Sequence, residues 1–507
     1  MTTPHSSDKL TRMASRDPAT EPSEALKALQ AALPSPCVRT GDAIRYQASL
    51  DNLRLSHLPE AVVRPRDEED VATVLKLANR LHVPITARGA GSNTTGAATP
   101  IRGGWVLDFA EWKQFEIDPV ARMAYVQPGV TVQELDTAAR EEGLFYPPDP
   151  GSKKYATLGG TLACNAGGLR GAKYGVTRDY VYALEGFLPT GEFVRWGADT
   201  KKYVSGYNMR DLWIGSEGTL GIVTGAVLKL LPAPGAQSTF LASFETDAAA
   251  LKVVRTMLEQ GFNPSILELI DRQTSECFQI WAHKPDRPEH LFGHPIISNF
   301  ISRPGAYLLI ELDGHPAEVA QSQLRLEELL RQHTEKWYNA QNAEEAEALW
   351  QVRRASSQSM FQLADTKLNE DIVVPLRSYE ALFAYTLELR DRIGLGTPTF
   401  GHAADGNFHV HIMYDRKNAE QALRAEKGIH ELMAKVVELG GVITGEHGVG
   451  LAKAPFLSLQ HSPAEIRAMR AIKEALDPNG ILNPGKIWEP FKVWEHPREE
   501  VRLPWDH

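Results

Sequence analysis

The chain has 507 residues, enough for about two to four domains, and its 43% hydrophobic and 23% charged content is that of an ordinary globular protein. The net charge of -10 argues against a nucleic-acid partner, which would favour a basic face. No run of about 18 apolar residues predicts a membrane span, and three cysteines, Cys37, Cys164 and Cys277, indicate a reducing compartment without a disulfide framework. We expect a cytoplasmic protein, or one that binds peripherally to the inner membrane.

The N-terminal region begins with a polar stretch, residues 1–24, that we interpret as a disordered tail. A short helix is predicted from Leu26 to Leu33. Asp67 to Leu81 has apolar residues at helical spacing behind an acidic start, and it lies between the predicted strands Ala61–Pro65 and Val83–Thr86. This order predicts a β-α-β unit.

A glycine-rich loop, Arg88 to Gly96, follows the second strand directly. Its glycines allow backbone N–H groups to approach a diphosphate closely, and its serine, asparagine and threonines add hydrogen-bonding side chains. The loop lacks the spacing of the dinucleotide-fold fingerprint and the lysine of a P-loop. An ordinary glycine-rich turn is the alternative for this loop taken alone.

Three further stretches are also rich in glycine, proline or small residues. Tyr146 to Ser152 is a stiff proline-rich loop, Thr157 to Gly168 carries two Gly-Gly pairs, and Gly215 to Thr224 is a glycine-rich loop that leads into a predicted strand, Ile222–Leu231. A seam of small packing residues is the alternative for the second stretch. Four such loops within about 140 residues favour one large, elongated cofactor.

A second region begins after residue 235, where strands and helices alternate in a pattern that predicts a sheet covered by helices. Its predicted helix Leu349–Arg354 carries a pair of arginines, which by itself is typical of a solvated face. Lys367 precedes a loop and strand that end at Pro375.

Two histidine-bearing segments follow, Gly401–His411 and Gly445–Gly450. On a strand, His409 and His411 point to the same face, and the Asp-Gly turn before them can bring His402 beside His409. A short strand, Gly441–Thr444, is predicted to lead to Glu446 and His447. His402, His409 and Glu446 are a suitable ligand set for a divalent metal such as zinc, with a position open for substrate, and His447 is then free to act as a base. Packed or surface histidines are the alternative.

Together, the four N-terminal stretches resemble the flavin-binding domain of the vanillyl-alcohol-oxidase and p-cresol-methylhydroxylase (PCMH) superfamily. The two histidine segments resemble its 2-hydroxyacid dehydrogenase branch, which includes cytochrome-type D-lactate dehydrogenase, the flavin subunit of glycolate oxidase and D-2-hydroxyglutarate dehydrogenase. The resemblance implies an α+β fold: a PCMH-type FAD-binding domain over residues 25–235, an α+β cap domain over 236–440, and a segment, 441–507, that completes the active site and returns to the FAD domain.

The resemblance implies FAD, and we expect it to be noncovalent because neither Arg88–Gly96 nor Thr157–Gly168 contains a histidine. By position, the diphosphate contacts are Arg88, Gly89, Ala90, Gly91, Ser92, Asn93 and Gly96. The ribityl and flavin contacts are Pro150, Ser152, Thr157, Gly160, Cys164 and Gly168. The contacts at the ring or adenosine end are Glu217, Gly221, Ile222 and Val223, with Asn483 near the ring.

The implied reaction is oxidation of a D-2-hydroxy acid. Arg353 would grip the substrate carboxylate, with Ser357 and Lys367 as further contacts. The metal would lower the pKa of the hydroxyl, His447 would take its proton, and hydride would pass to flavin N5. His411 is open as a neighbouring or additional ligand.

The partners implied are a small 2-hydroxy acid and an external electron acceptor, since the cysteines do not form an iron–sulfur pattern. A quinone, a cytochrome and an electron-transfer flavoprotein are all open, as is a homodimer. Two alternatives to the reaction remain: a flavin-dependent oxidase of another alcohol, and a non-catalytic flavin- or metal-binding subunit of a glycolate oxidase-type complex.

Overall fold

The computed structural model describes residues 22–285 and 287–504. Residues 1–21 of the predicted tail lie outside the described residues, and the first described helix already begins at Glu24.

The strands are β1 (Val38–Arg39), β2 (Ala61–Val63), β3 (Ile85–Arg88), β4 (Trp105–Asp108), β5 (Phe115–Asp118), β6 (Met123–Val126), β7 (Leu144–Phe145), β8 (Val181–Phe187), β9 (Phe193–Gly197), β10 (Ile222–Lys229), β11 (Leu231–Pro232), β12 (Ala236–Phe244), β13 (Ile266–Ile270), β14 (Ala306–Gly314), β15 (Lys336–Asn339), β16 (Thr366–Val373), β17 (Thr399–His402) and β18 (Asn407–Tyr414).

The helices are α1 (Glu24–Ala32), α2 (Asp42–Ala48), α3 (Glu68–Leu81), α4 (Val132–Glu141), α5 (Leu158–Cys164), α6 (Gly171–Tyr174), α7 (Met209–Trp213), α8 (Asp247–Glu259), α9 (Arg272–Ala282), α10 (Glu289–Phe292), α11 (Pro295–Phe300), α12 (Pro316–His333), α13 (Ala343–Ser359), α14 (Tyr379–Ile393), α15 (Ala419–Glu438), α16 (Leu457–Gln460) and α17 (Pro463–Leu476). The α+β class that the resemblance implied is confirmed.

Strands β1 to β11 form three sheets. The first has the order β1-β2-β4-β3, with β4 parallel to both β2 and β3. The second is antiparallel with the order β5-β6-β10-β8-β9, and β7 pairs with β11 in the third. Helix α3 makes the predicted β-α-β connection: Asp67 caps it by accepting from Asp70 N, and the predicted apolar stripe from Val71 to Ala78 is buried.

Strands β12 to β18 form one antiparallel seven-stranded sheet with the order β15-β12-β14-β13-β17-β18-β16. Helices α8, α12, α14 and α15 contribute apolar side chains to the large core on one face of this sheet, and α9, α11 and α13 contribute to a smaller core. The order places β13 beside β17 and β18 beside the edge strand β16, so residues from distant parts of the chain become neighbours in this half of the sheet.

The C-terminal segment contacts the first sheet through backbone hydrogen bonds. Ile85 N donates to Ile481 O at 2.7 Å, and Asn483 N donates to Ile85 O at 2.7 Å. Helix α17 has the predicted bounds and begins with a capping box between Ser462 and Glu465. Among the described helices, none is long and apolar enough to cross a membrane. All three cysteines are free.

Two local predictions are wrong. Most of the Thr157–Gly168 stretch is helix α5 rather than a loop, because Thr157 caps it by accepting from Gly160 N. The predicted strand Gly441–Thr444 is a single bridge between Val442 and Val373. The chain turns away directly after this bridge, where the N–H groups of residues 445–447 bind a side chain rather than another strand.

Candidate active site

A single cleft of about 370 Å³ is lined both by the glycine-rich stretches of the N-terminal half and by the histidine cluster of the C-terminal half. The structure therefore brings together the two groups of motifs that the sequence places more than 170 residues apart. The same cleft can hold an elongated ligand and present one end of it to the histidines.

Glycines on the floor of the cleft pack tightly against neighbouring backbone and side-chain atoms. A Cβ on Gly89 would lie 2.1 Å from Thr157 Oγ1, and a Cβ on Gly168 would lie 2.1 Å from Asp149 O. Gly91 has φ +74°, which favours glycine, and a Cβ there would collide with the Arg88 guanidinium. Only glycine fits these positions, and the resulting smooth, side-chain-free surface is suited to a large cofactor.

Most residues predicted to contact cofactor, substrate or metal line this cleft. They are Arg88, Gly89, Ala90, Gly91, Ser92, Asn93, Pro150, Ser152, Thr157, Gly160, Cys164, Gly168, Glu217, Gly221, Val223, Arg353, Ser357, His402, His409, Glu446 and His447.

Four predicted residues do not line it. Gly96 packs against Leu53 and Leu451, Ile222 is in an apolar core, and Asn483 donates to Ala97 O at 2.9 Å and to Glu217 O at 2.7 Å. These three residues lie behind the residues that line the cleft and support them. Lys367 lies behind Ser357, to which its Nζ donates at 2.5 Å.

The hairpin of β17 and β18 places two of the predicted metal ligands. His402 is the last residue of β17, His409 lies across from Phe400, and the two imidazole rings are 5.4 Å apart. Gly406 has φ +85° in the turn between the strands, where a Cβ would meet Val374 O at 2.2 Å. The turn predicted from the Asp-Gly pair thus brings the imidazoles together.

Glu446 lies opposite these imidazoles on the C-terminal turn. Its Oε1 is 3.8 Å from His402 Nε2, 3.7 Å from His409 Nε2 and 3.7 Å from His447 Nε2. One donor atom from each of His402, His409 and Glu446 lies within 4.8 Å of the others. Two imidazoles and a carboxylate at this spacing fit a divalent metal with an open coordination position.

The electrostatics of the cluster also favour a cation. Burial lowers the pKa of His402, but the carboxylates of Glu268 and Glu446 outweigh it and raise that pKa well above its ordinary value. Burial lowers the pKa of His409 to about 4, so this imidazole is neutral at pH 7, the form that binds a metal. Burial raises the pKa of Glu446, but His402, His409 and His447 together hold it below its ordinary value.

Glu268, which the sequence analysis missed, joins the histidine cluster to the arginine. It is fully buried on β13, across from His402, and its two carboxylate oxygens pair with His402 Nδ1 and Arg353 Nε. Burial raises its pKa, but these two cationic partners lower it to about 2. A carboxylate on Nδ1 fixes the imidazole so that Nε2 faces a metal.

Arg353 lies on α13 at the rim of the same cleft, with its guanidinium 4.2 Å from the centre of the Phe400 ring. Glu268 takes Nε, so the terminal amino groups are the ones that a bound carboxylate could use. Ser357 follows one helical turn later, and burial lowers the pKa of its neighbour Lys367 to about 8. Arg353 and Ser357 therefore form a polar end of the cleft, with the amino group of Lys367 behind Ser357.

His411 lines the cleft but is not part of the cluster formed by His402, His409 and Glu446, and its Nδ1 donates to Pro398 O at 3.1 Å. Its cross-strand neighbour Asn369 also lines the cleft, and the buried Asn369 Oδ1 has no hydrogen-bond partner among the described residues. Asn369 is therefore a further group that can meet a ligand.

Two site carboxylates, Glu268 and Asp371, were missed because their partners are distant in sequence. The sequence does mark both residues as charges within apolar segments. Glu268 lies inside the apolar run Ile266–Ile270, and Asp371 precedes Ile372, Val373 and Val374. A charge in the middle of a buried strand is rare unless it is paired.

A cleft with a glycine-lined floor and a metal-type cluster at one end defines a cofactor-dependent oxidoreductase site, and comparison with known proteins gives its family. Residues 59–197 match the family described as FAD binding domain, and residues 233–487 match FAD linked oxidases, C-terminal domain. The chain belongs to the FAD-linked oxidase family.

Among curated relatives, the glycolate oxidase subunit GlcD of Bacillus subtilis is 39% identical over 84% of this chain and 88% of its own length. A D-lactate dehydrogenase of Anaerostipes hadrus is 36% identical over 88% and 93%, respectively. Among solved structures, p-cresol methylhydroxylase aligns with a TM-score of 0.75 at 18% identity, over 92% of this chain and 96% of that one. This last likeness shows the fold, which is the PCMH-type fold that the resemblance implied.

Proposed function

We propose that the protein oxidises a D-2-hydroxy acid to the 2-oxo acid with FAD and a divalent metal, and passes the electrons to an external acceptor. The observation that carries this proposal is the convergence of three imidazole Nε2 atoms on Glu446 Oε1 at 3.7–3.8 Å, in the cleft that the glycine-rich stretches line. The names of the relatives, a glycolate oxidase subunit and a D-lactate dehydrogenase, support the substrate class.

The residues fit both cofactors. FAD would lie along the glycine-lined floor, where side chains larger than hydrogen collide, and bound FAD would supply the acceptor for the α-hydrogen. His402, His409 and Glu446 would hold the metal, which supplies Lewis-acid chemistry that makes a hydroxyl more acidic. We expect zinc from the nitrogen and oxygen donors.

Side chains of the protein bind the charged end of the substrate and accept its proton. Arg353 binds the substrate carboxylate, Ser357 and Asn369 line the space around it, and Lys367 lies behind Ser357, to which its Nζ donates. His447 accepts the hydroxyl proton: its ring is stacked on His409 at 5.5 Å, beside the metal ligands but not needed as one of them. The substrate thus loses one proton to His447 and one hydride to the cofactor, which balances the two-electron oxidation.

The reduced cofactor must then be reoxidised from outside the chain. The three free cysteines are separated in the sequence and cannot bind an iron–sulfur cluster. A quinone, a cytochrome or an electron-transfer flavoprotein would accept the electrons.

Anaerobic mixing of the purified flavoprotein with D-lactate, glycolate and D-2-hydroxyglutarate tests the proposal. At least one acid should bleach the flavin absorbance rapidly in the wild type. His447→Gln should keep FAD but slow bleaching by at least about 100-fold, as expected for loss of a general base. His461→Gln, a change at a histidine paired with Glu465 on the surface, is the matched control and should react like the wild type.

Two outcomes would contradict the proposal. Bleaching by an aromatic or sugar alcohol, but by none of the three acids, would assign the site to another alcohol. A bound flavin that no alcohol or hydroxy acid reduces would indicate a non-catalytic subunit.

A further inference from the structure

We propose that Asp371 is a positioning residue that sets the distance between the proposed metal site and the proposed base. The inference rests on the proposed function and assigns a role to a side chain that touches neither cofactor nor substrate. Its basis is the arrangement of hydrogen bonds around one buried carboxylate.

A single oxygen of Asp371 holds the whole turn that carries Glu446 and His447. Oδ2 accepts from Thr444 Oγ1 at 2.9 Å, from Gly445 N at 2.9 Å, from Glu446 N at 2.9 Å and from His447 N at 3.0 Å. Three successive N–H groups pointing at one oxygen bend the backbone into an anion-binding concavity. The turn therefore takes its shape around the carboxylate.

The other oxygen connects the same side chain to the histidine hairpin. Oδ1 accepts from Asn407 Nδ2 at 2.6 Å, and Asn407 begins β18 across from His402. Asp371 itself lies across from His409 in the pairing of β16 with β18. One fully buried carboxylate is thus hydrogen-bonded to the turn that carries one proposed metal ligand. Strand pairing places the same residue beside the hairpin that carries the other two.

The chemistry of the group explains why a carboxylate is needed. A carboxylate only accepts hydrogen bonds, and all five side-chain and backbone groups around Asp371 are donors. An amide of the same shape has one acceptor oxygen and one NH₂ group. In either orientation, the amide introduced by Asp371→Asn would point its own N–H groups at other donors, so the turn would move away from the hairpin.

A shift of the turn would affect both the proposed metal site and the proposed base. Glu446 would move relative to His402 and His409, which weakens metal binding, and His447 would move relative to the substrate hydroxyl. A purely structural carboxylate would change stability alone. Metal affinity and the rate of flavin reduction at saturating metal therefore distinguish positioning from stabilisation.

The experiment uses the FAD-containing protein and compares Asp371→Asn with Asp477→Asn. Asp477 is also buried and also accepts backbone N–H groups, from Ile481 at 3.1 Å and Leu482 at 2.8 Å, and it pairs with Lys473, but none of these partners belongs to the histidine cluster. Zinc affinity is measured by competition with a chromophoric chelator, and flavin bleaching is measured with whichever hydroxy acid reduces the wild type. We expect Asp371→Asn to weaken zinc binding by about 10–100-fold and to slow bleaching at saturating zinc by at least about tenfold, with Asp477→Asn within about threefold on both.

An Asp371→Asn variant that matches the wild type in zinc affinity and bleaching would overturn the positioning role while leaving the proposed function intact. A wild type that binds no zinc and is bleached by no hydroxy acid would overturn both. If Asp371→Asn does not fold, Thr444→Val removes one of the four donors to Oδ2 and leaves the other three. This milder variant should weaken zinc binding by about threefold to tenfold, and an unchanged zinc affinity would overturn the inference.

Discussion

Replacing Glu268 with glutamine removes the charge that joins Arg353 to His402. The carboxylate is fully buried and its oxygens pair with Arg353 Nε and His402 Nδ1. The amide can accept from one of these donors, but its NH₂ group must face the other. Both the fold and the metal site should therefore be weakened.

The size of each effect follows from the contacts. Removing one partner of a buried ion pair costs about 3–5 kcal/mol, because the remaining charge is left without its counter-charge. The fall in the Glu268 pKa, to about 2, shows that the surroundings strongly favour its charged form. Losing the group that orients a metal-binding imidazole typically weakens metal affinity by about 10–100-fold.

Urea unfolding and zinc competition measure the two effects on the same preparation. Glu311→Gln is the matched control, because Glu311 is equally buried on the neighbouring strand β14 and pairs with neither Arg353 nor His402. We expect the control to keep its zinc affinity within about threefold. Zinc affinity within about threefold of the wild type in Glu268→Gln would refute the orienting role, whatever the change in stability.

Three further predictions concern the cleft and its supports. Gly89→Ala places a Cβ 2.1 Å from Thr157 Oγ1 and should weaken FAD binding at least about tenfold, as measured by flavin release. Gly41→Ala, with open space around it, is the control and should not change FAD binding. Equal FAD retention in the two variants would contradict the tight packing around Gly89. Burial lowers the pKa of Lys367 to about 8, so its charge is present below that pH and lost above it. The substrate KM should therefore rise above about pH 8, and Lys367→Arg should remove that rise; a flat wild-type profile would exclude a substrate contact. Lys453→Met breaks a buried pair with Glu370 and should cost about 3–5 kcal/mol in urea unfolding. Lys492→Met, in the exposed pair with Glu495, should leave the urea midpoint nearly unchanged, and an equal loss of stability in both variants would contradict the effect of burial.

Elements with a strong local pattern could be predicted from the sequence. Helix α3 has its acidic start, its Asp67 cap and its apolar stripe within one short segment, and α17 has Ser462, Pro463 and Glu465 at its start. The hairpin of β17 and β18 was indicated by an Asp-Gly turn between two histidine positions. In each case the physical determinants are neighbours in the chain.

The parts that could not be predicted depend on contacts between distant segments. Glu268 reaches His402 across 134 positions, and Asp371 reaches the turn at Gly445 across 74. Only the order of the seven-stranded sheet sets those contacts, and no local pattern encodes that order. Helix α5 was missed for the opposite reason: its glycines disfavour a helix locally, but the Thr157 cap and its close packing against Pro128 override that preference.

The central claim is that a metal held by His402, His409 and Glu446 makes the hydroxy acid reactive beside the flavin. Its most direct test is flavin bleaching by a 2-hydroxy acid under anaerobic conditions, before chelation, after removal of the metal, and after zinc or manganese is added back. We expect chelation to stop bleaching without releasing FAD, and we expect one of the metals to restore it. Bleaching at the full rate in protein shown by elemental analysis to be metal-free would contradict it.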